Sequence, residues 1–325
     1  MRGDITWNNR STIEISSGEE DYYLGLFIAK LRAFVSGSDA ILGTGDDRRV
    51  YLRLAHEMNG GWYTYSQGEN TPEEYIKMWR YIFALVRAAE LTQDHVSFMW
   101  CVHTYDGVPG APAEAWYPGD EFVDWFVFFK FSSAQVWFRV GIDGYNFDTS
   151  NYGTFWQSPY DVFFSMLDRM KLYKKPIAIP EFGTVPRFID DPTHRCFNRL
   201  GLEQKSEWLR QALEMIHENS VIRMISYFNI NKRDGGTPLG QAWGIFTSSL
   251  QNASDCEQLC YCASGTSRFT ARSGITYETF PVFREELRAM KPFLILGSQQ
   301  NPRILDSRVF QGKNPKRPSI KRTDF

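Results

Sequence analysis

The chain alternates short apolar runs with longer stretches of helical periodicity, which restricts the fold to βα units built on a parallel sheet. Residues 49–54, 96–102, 136–143, 176–180 and 221–229 read as buried strands, and 5–7 as a shorter one. Helical spacing runs through 21–35, where Tyr23, Leu24, Phe27, Ile28 and Leu31 recur at intervals that share one face. Residues 71–89 begin a second helix, with Thr71 as N-cap, Pro72 in the first turn and Glu74 at the capping-box position. Further helices are expected over 160–172, 205–217 and 280–290. A length of 325 residues in this pattern suits one α/β barrel better than two average domains. The six strands counted here fall short of the eight that close a (β/α)8 TIM barrel.

Charge and composition narrow the partners. A formal net charge of −2 provides no broad basic field, so no nucleic-acid partner is expected. No apolar run is long enough to span a bilayer, and no membrane partner is expected either. Basic residues do gather at the end, where Lys313, Lys316, Arg317, Lys321 and Arg322 sit among prolines. Residues 297–325 therefore read as a solvated, disordered tail. The cysteines Cys101, Cys196, Cys256, Cys260 and Cys262 are odd in number, and the last three have no histidine nearby at ligand spacing. A disulfide within that cluster remains open; no metal and no organic cofactor are expected. Aromatic residues make up 16% of the chain, enough to supply both a core and the flat faces on which sugar rings stack.

Two of the strands end in a glutamate. One runs through Leu54-Ala55-His56-Glu57-Met58-Asn59, the other through Ile179-Pro180-Glu181-Phe182-Gly183. In a βα barrel the C-terminal strand ends carry the chemistry. A carboxylate at the end of an apolar strand is costly to bury unless it is hydrogen-bonded or used. A single one is as well explained as a partner for Arg53. A pair is what glycoside cleavage requires, one carboxyl holding its proton and the other ionised.

The stretch 51–65, YLRLAHEMNGGWYTY, resembles the acid/base motif of glycoside hydrolase family 26, and 175–184, KPIAIPEFGT, resembles that family's nucleophile strand. Further blocks follow in family order: ITW at 5–7, EYIKMWRYI at 74–82, YPGDEFVDW at 117–125, VGIDGYN at 140–146, KSEWL at 205–209 and YFN at 227–229. The resemblance implies a retaining, endo-acting hydrolase on a (β/α)8 TIM barrel, most often a β-1,4-mannanase. Some members act on mixed-linkage β-glucan or β-1,3-xylan. It makes Glu57 the general acid/base and Glu181 the nucleophile. His56 would line the site beside the acid, and Tyr145 would hydrogen-bond the nucleophile. Trp62 and Trp243 would be sugar-stacking platforms.

The chain also departs from the family pattern. It opens at what resembles the third strand, so the expected barrel lacks its first two. Residues 126–139, FVFFKFSSAQVWFR, interrupt a strand that runs on in the family; they read as an added loop or an unspliced intron. Residues 250–279, which hold three cysteines, are a second such candidate. His103 stands where the family usually has asparagine, and Trp243 lacks the acidic residue that often precedes it. Both departures bear on sugar specificity, and His103 joins the candidate substrate-binding residues. The expected organisation is thus a catalytic barrel over 1–296 and a tail over 297–325. The expected protein is a secreted monomer whose partner is a polysaccharide. The competing class is an inactive carbohydrate-binding relative. The sequons at Asn9 and Asn252 fit secretion but are frequent by chance.

Overall fold

In the computed structural model the described residues are 12–66, 70–127, 136–138, 140–146, 156–185 and 199–229, with short strand pairs beyond them. The expected strand 5–7 and helix 280–290 lie outside them. The chain forms two compact units. The first comprises 1–98, 106–124 and 288–325, and the second 99–105 and 125–287.

In the first unit, helices α1 (Thr12–Ser17), α2 (Asp21–Val35) and α3 (Pro72–Ala88) accompany the parallel strands β1 (Val50–Leu52) and β2 (Val96–Phe98). The start of α3 follows its local signal. Thr71 Oγ1 accepts from the Glu74 N–H, and the Glu74 carboxylate accepts from the Thr71 N–H. Along α3 the buried side chains are Tyr75, Met78, Trp79, Ile82 and Val86, a single helical stripe. Trp79 meets Phe98 edge-on at 6.0 Å and donates its indole N–H to the Phe122 carbonyl at 2.9 Å. Asp124 ties this core together. It pairs with Arg87 and accepts from the Phe98 N–H at 2.7 Å, while Arg87 also donates to the Leu91 and Val96 carbonyls.

In the second unit, β3 (Trp100–His103), β6 (Val140–Asn146), β7 (Ile177–Thr184) and β8 (Ile222–Tyr227) form a parallel sheet in that order. Strands β3 and β6 are almost entirely buried, as parallel strands covered on both faces must be. Helix α4 (Pro159–Lys171) starts at a second capping box, Ser158 with Asp161, and buries Val162, Phe163, Met166, Leu167 and Met170. Helix α5 (Arg199–Glu218) buries Trp208, Leu209, Ala212 and Leu213 and begins earlier than its periodicity suggests.

The strand expected over 136–143 divides in two. Its first part, β5 (Val136–Phe138), pairs antiparallel with β4 (Trp125–Val127), and only from Val140 does the parallel strand β6 begin. Both arms of the 126–139 stretch are rich in aromatic and β-branched residues, and pairing with a near sequence neighbour closes the smaller loop. Three further antiparallel pairs follow. They join Asn231–Lys232 with Gln241–Ala242, Ser267–Thr270 with Thr276–Thr279, and Ile295–Leu296 with Arg303–Ile304. The second of these pairs lies within the expected 250–279 insertion. The third brings two residues of the expected tail into register.

Candidate active site

In the first unit the candidate residues gather on the turn that follows β1. Its backbone is unusual: Ala55 has φ 40° and Glu57 has φ 55°, two left-handed non-glycine residues flanking His56. Glu57 is buried, at 6% exposure. Trp62 Nε1–H donates to Glu57 Oε2 at 2.9 Å. The indole lies across Gly60, where any Cβ would run into the ring. Trp62 is itself 38% exposed. His56 Nε2 meets the Tyr63 hydroxyl at 3.1 Å. Tyr63 stacks on Tyr65 at 5.1 Å, and Tyr65 donates its hydroxyl to the His56 carbonyl at 2.6 Å. Tyr75, on α3, donates to the Ala55 carbonyl at 3.0 Å. Burial pushes the Tyr65 phenol well above its ordinary range, so its proton stays available to that carbonyl at any working pH. Beyond the turn, buried Asn59 donates to Asp106 at 2.9 Å, and its carbonyl accepts from the Gly107 N–H at 2.7 Å.

In the second unit a separate group of candidate residues lies on the parallel sheet. In register across β3, β6 and β7, His103 faces Asp143 and Asp143 faces Glu181. Two positions further, Tyr145 faces Gly183, which turns its hydroxyl toward Glu181; it donates to Glu181 Oε2. Phe228 meets the Tyr145 ring edge-on at 5.5 Å and ties its own N–H to the Phe182 carbonyl, which fixes the ring in place. His103 is 5% exposed, and its ring packs edge-on against Tyr105 at 4.8 Å.

Glu57 and Trp62 are thus brought together, as are Glu181 and Tyr145, while His103 lies in the same register row as Glu181, with Asp143 between them. Trp243 lies outside the described residues. The sequence reading missed Asp143, which is fully buried between His103 and Glu181. It also missed the tyrosines behind the Glu57 turn. The signal for Asp143 was its place two residues before Tyr145 on one strand; for Tyr63 and Tyr65 it was their alternation within the 51–65 block. Among the described residues no group of histidine, cysteine, aspartate and glutamate could hold a metal ion, and no helix is long and apolar enough to cross a membrane.

Residues 3–145 match the profile of Glycosyl hydrolase family 26. Endoglucanase H of Acetivibrio thermocellus is 28% identical over 237 residues, covering 70% of this chain and 22% of that protein. A β-1,3-xylanase of a Vibrio species is 25% identical over 194 residues, covering 56% of this chain and 36% of the relative. The chain therefore spans well under half the length of either curated relative. Among solved structures, the catalytic domain of the family 26 endo-β-1,4-mannanase of Bacillus sp. JAMB-750 aligns at TM-score 0.39 and 20% identity, covering 63% of this chain and 48% of that one. An endo-β-1,3-glucanase of Pseudomonas viridiflava aligns at TM-score 0.37 and 18% identity, covering 65% and 66%. The profile match falls on the HEMNGGW block that carries Glu57, and over that stretch the chain is similar to glycosyl hydrolase family 26.

Proposed function

We propose that the protein is a retaining endo-glycoside hydrolase of β-linked polysaccharide, with β-1,4-mannan as its substrate, working on a (β/α)8 barrel. The observation that carries this reading is two carboxylates, Glu57 in the turn beyond β1 and Glu181 within β7, each met by a hydrogen-bond donor that orients one oxygen. Trp62 does this for Glu57, and Tyr145 for Glu181.

The chemistry follows from a transition state with oxocarbenium character, in which the departing oxygen gains charge as its bond to the anomeric carbon lengthens. Glu57 serves as acid and gives its proton to the leaving oxygen. Glu181 attacks the anomeric carbon and forms a glycosyl ester. The Tyr145 hydroxyl favours the ionised carboxylate that this attack needs. Glu57, now deprotonated, takes a proton from water, and the resulting hydroxide equivalent releases the sugar with net retention. The partly exposed Trp62 stacks on a sugar ring, and His103 contributes to the choice of sugar. Such polysaccharides lie outside cells, and the protein acts there as a monomer, without metal or organic cofactor.

The kinship with β-1,3-xylanases supports a second reading of the substrate, in which the same two glutamates cut β-1,3-xylan. A reducing-sugar assay on galactomannan, mixed-linkage β-glucan and β-1,3-xylan separates the two, and proton NMR of the first product reports retention. A 2-deoxy-2-fluoro glycoside of the preferred sugar should add its mass to the peptide that carries Glu181. Binding without release from any of the three glycans would make the protein a carbohydrate-binding relative instead.

A further inference from the structure

The turn that presents Glu57 is held by two hydroxyls that donate to its backbone carbonyls. Strand β1 ends its ladder at Leu52, so the carbonyls of Ala55 and His56 lie beyond its pairing with β2. Tyr75 donates to the first and Tyr65 to the second. The His56 carbonyl belongs to the peptide plane between His56 and Glu57. Rotation of that plane changes φ of Glu57 directly, and φ of Glu57 is 55°, in the left-handed region that a non-glycine residue enters only when its surroundings hold it there. A flip of this one peptide would relax Glu57 to an ordinary φ and swing its carboxyl off Trp62. Tyr65 is placed to prevent the flip. It is 6% exposed, stacked on Tyr63, and lies 6.4 Å from Tyr75, which is fully buried on a helix anchored by its capping box.

We infer that Tyr65, backed by Tyr75, is a positioning residue for the acid/base glutamate: its hydroxyl locks the His56–Glu57 peptide in the orientation that aims Glu57. This rests on the reading of Glu57 as the acid, and two measurements keep the claims apart. The first compares kcat/KM on whichever of the three glycans is cleaved with kcat/KM on the 2,4-dinitrophenyl glycoside of the same sugar, whose leaving group needs no proton. Y65F should lower the first by roughly ten- to hundredfold, the scale on which small misplacements act, and leave the second essentially unchanged. E57A should show the same split more strongly, and Y75F more weakly.

The second measurement needs no turnover. The Trp62 indole N–H resonance, assigned with W62F, reports the bond to Glu57; in Y65F it should move upfield while the thermal transition stays cooperative. Equal loss on both substrates, or an indole resonance that does not move, overturns the positioning role. Absence of a split in E57A overturns the acid assignment instead, and the indole shift still decides the role of Tyr65. Should Y65F fail to fold, the same two readings on Y75F decide it, since that hydroxyl holds the preceding peptide.

Discussion

The indole N–H of Trp62 donates to Oε2 of Glu57 at 2.9 Å, so a partly exposed side chain, proposed above as a sugar platform, also orients the carboxyl beside it. The reach depends on Gly60, since a side chain at that position would occupy the space of the ring.

Separating the two roles of Trp62 is therefore feasible. W62F keeps a ring but loses the donor, and kcat on the preferred glycan should fall roughly tenfold, the scale of one hydrogen bond to a charged group, with little change in KM. W62A removes the stacking face as well and should raise KM in addition. G60A should behave like W62A, because the added methyl displaces the indole. Steady-state kinetics on the three variants check this; a W62F enzyme indistinguishable from wild type would assign the indole nitrogen no part.

Tyr145 bonds Oε2 of Glu181 through a hydroxyl that phenylalanine lacks. A hydrogen bond to a charged acceptor contributes about 1.5–3 kcal/mol, so Y145F should slow formation of the glycosyl-enzyme by roughly ten- to hundredfold. The burst rate of dinitrophenol release from an activated glycoside measures that step, and the ring contact with Phe228 should preserve the fold.

Helix α3 depends on Thr71, whose side chain accepts from the Glu74 N–H. T71A should cost about 1 kcal/mol of stability, the usual worth of an N-cap. Urea denaturation would register this as a lower midpoint with unchanged slope. Activity well below the transition should stay at the wild-type level.

Asp46 fastens the loop after α2. Its carboxylate accepts from the N–H and hydroxyl of Ser38, both at 2.6 Å, and from the Thr44 hydroxyl at 2.8 Å. These donors, Ser38 first, hold the carboxyl well below the usual carboxylate range. A depressed folded value means the fastening is fully present above the unfolded pKa of roughly 3.9 and is lost as pH falls through the folded value. The difference in Tm between wild type and D46N should therefore be constant from neutral pH down to mild acid, then shrink below roughly pH 4. The group is exposed, so the difference should be small throughout. A gap that widens on acidification would contradict the assignment.

The sequence by itself determined what depends on near neighbours. The capping box at Thr71 and the stripe of α3 follow from spacings of three to four residues, whereas Glu57, Glu181 and Tyr145 stood out through motifs that resemble the family's. Those signals survive because a helix turn or a strand pleat reads only a few positions at a time. The tertiary structure alone decided who meets whom over longer spans. It turned the Trp62 nitrogen toward Glu57, laid Asp143 between His103 and Glu181, and split 136–143 into a hairpin arm and a parallel strand. It also sent the hydroxyls of Tyr65 and Tyr75 to the carbonyls of His56 and Ala55, the two residues before Glu57. A tyrosine carries the same letter whether its hydroxyl bonds water, a sugar or a backbone carbonyl, and only long-range packing chooses among them.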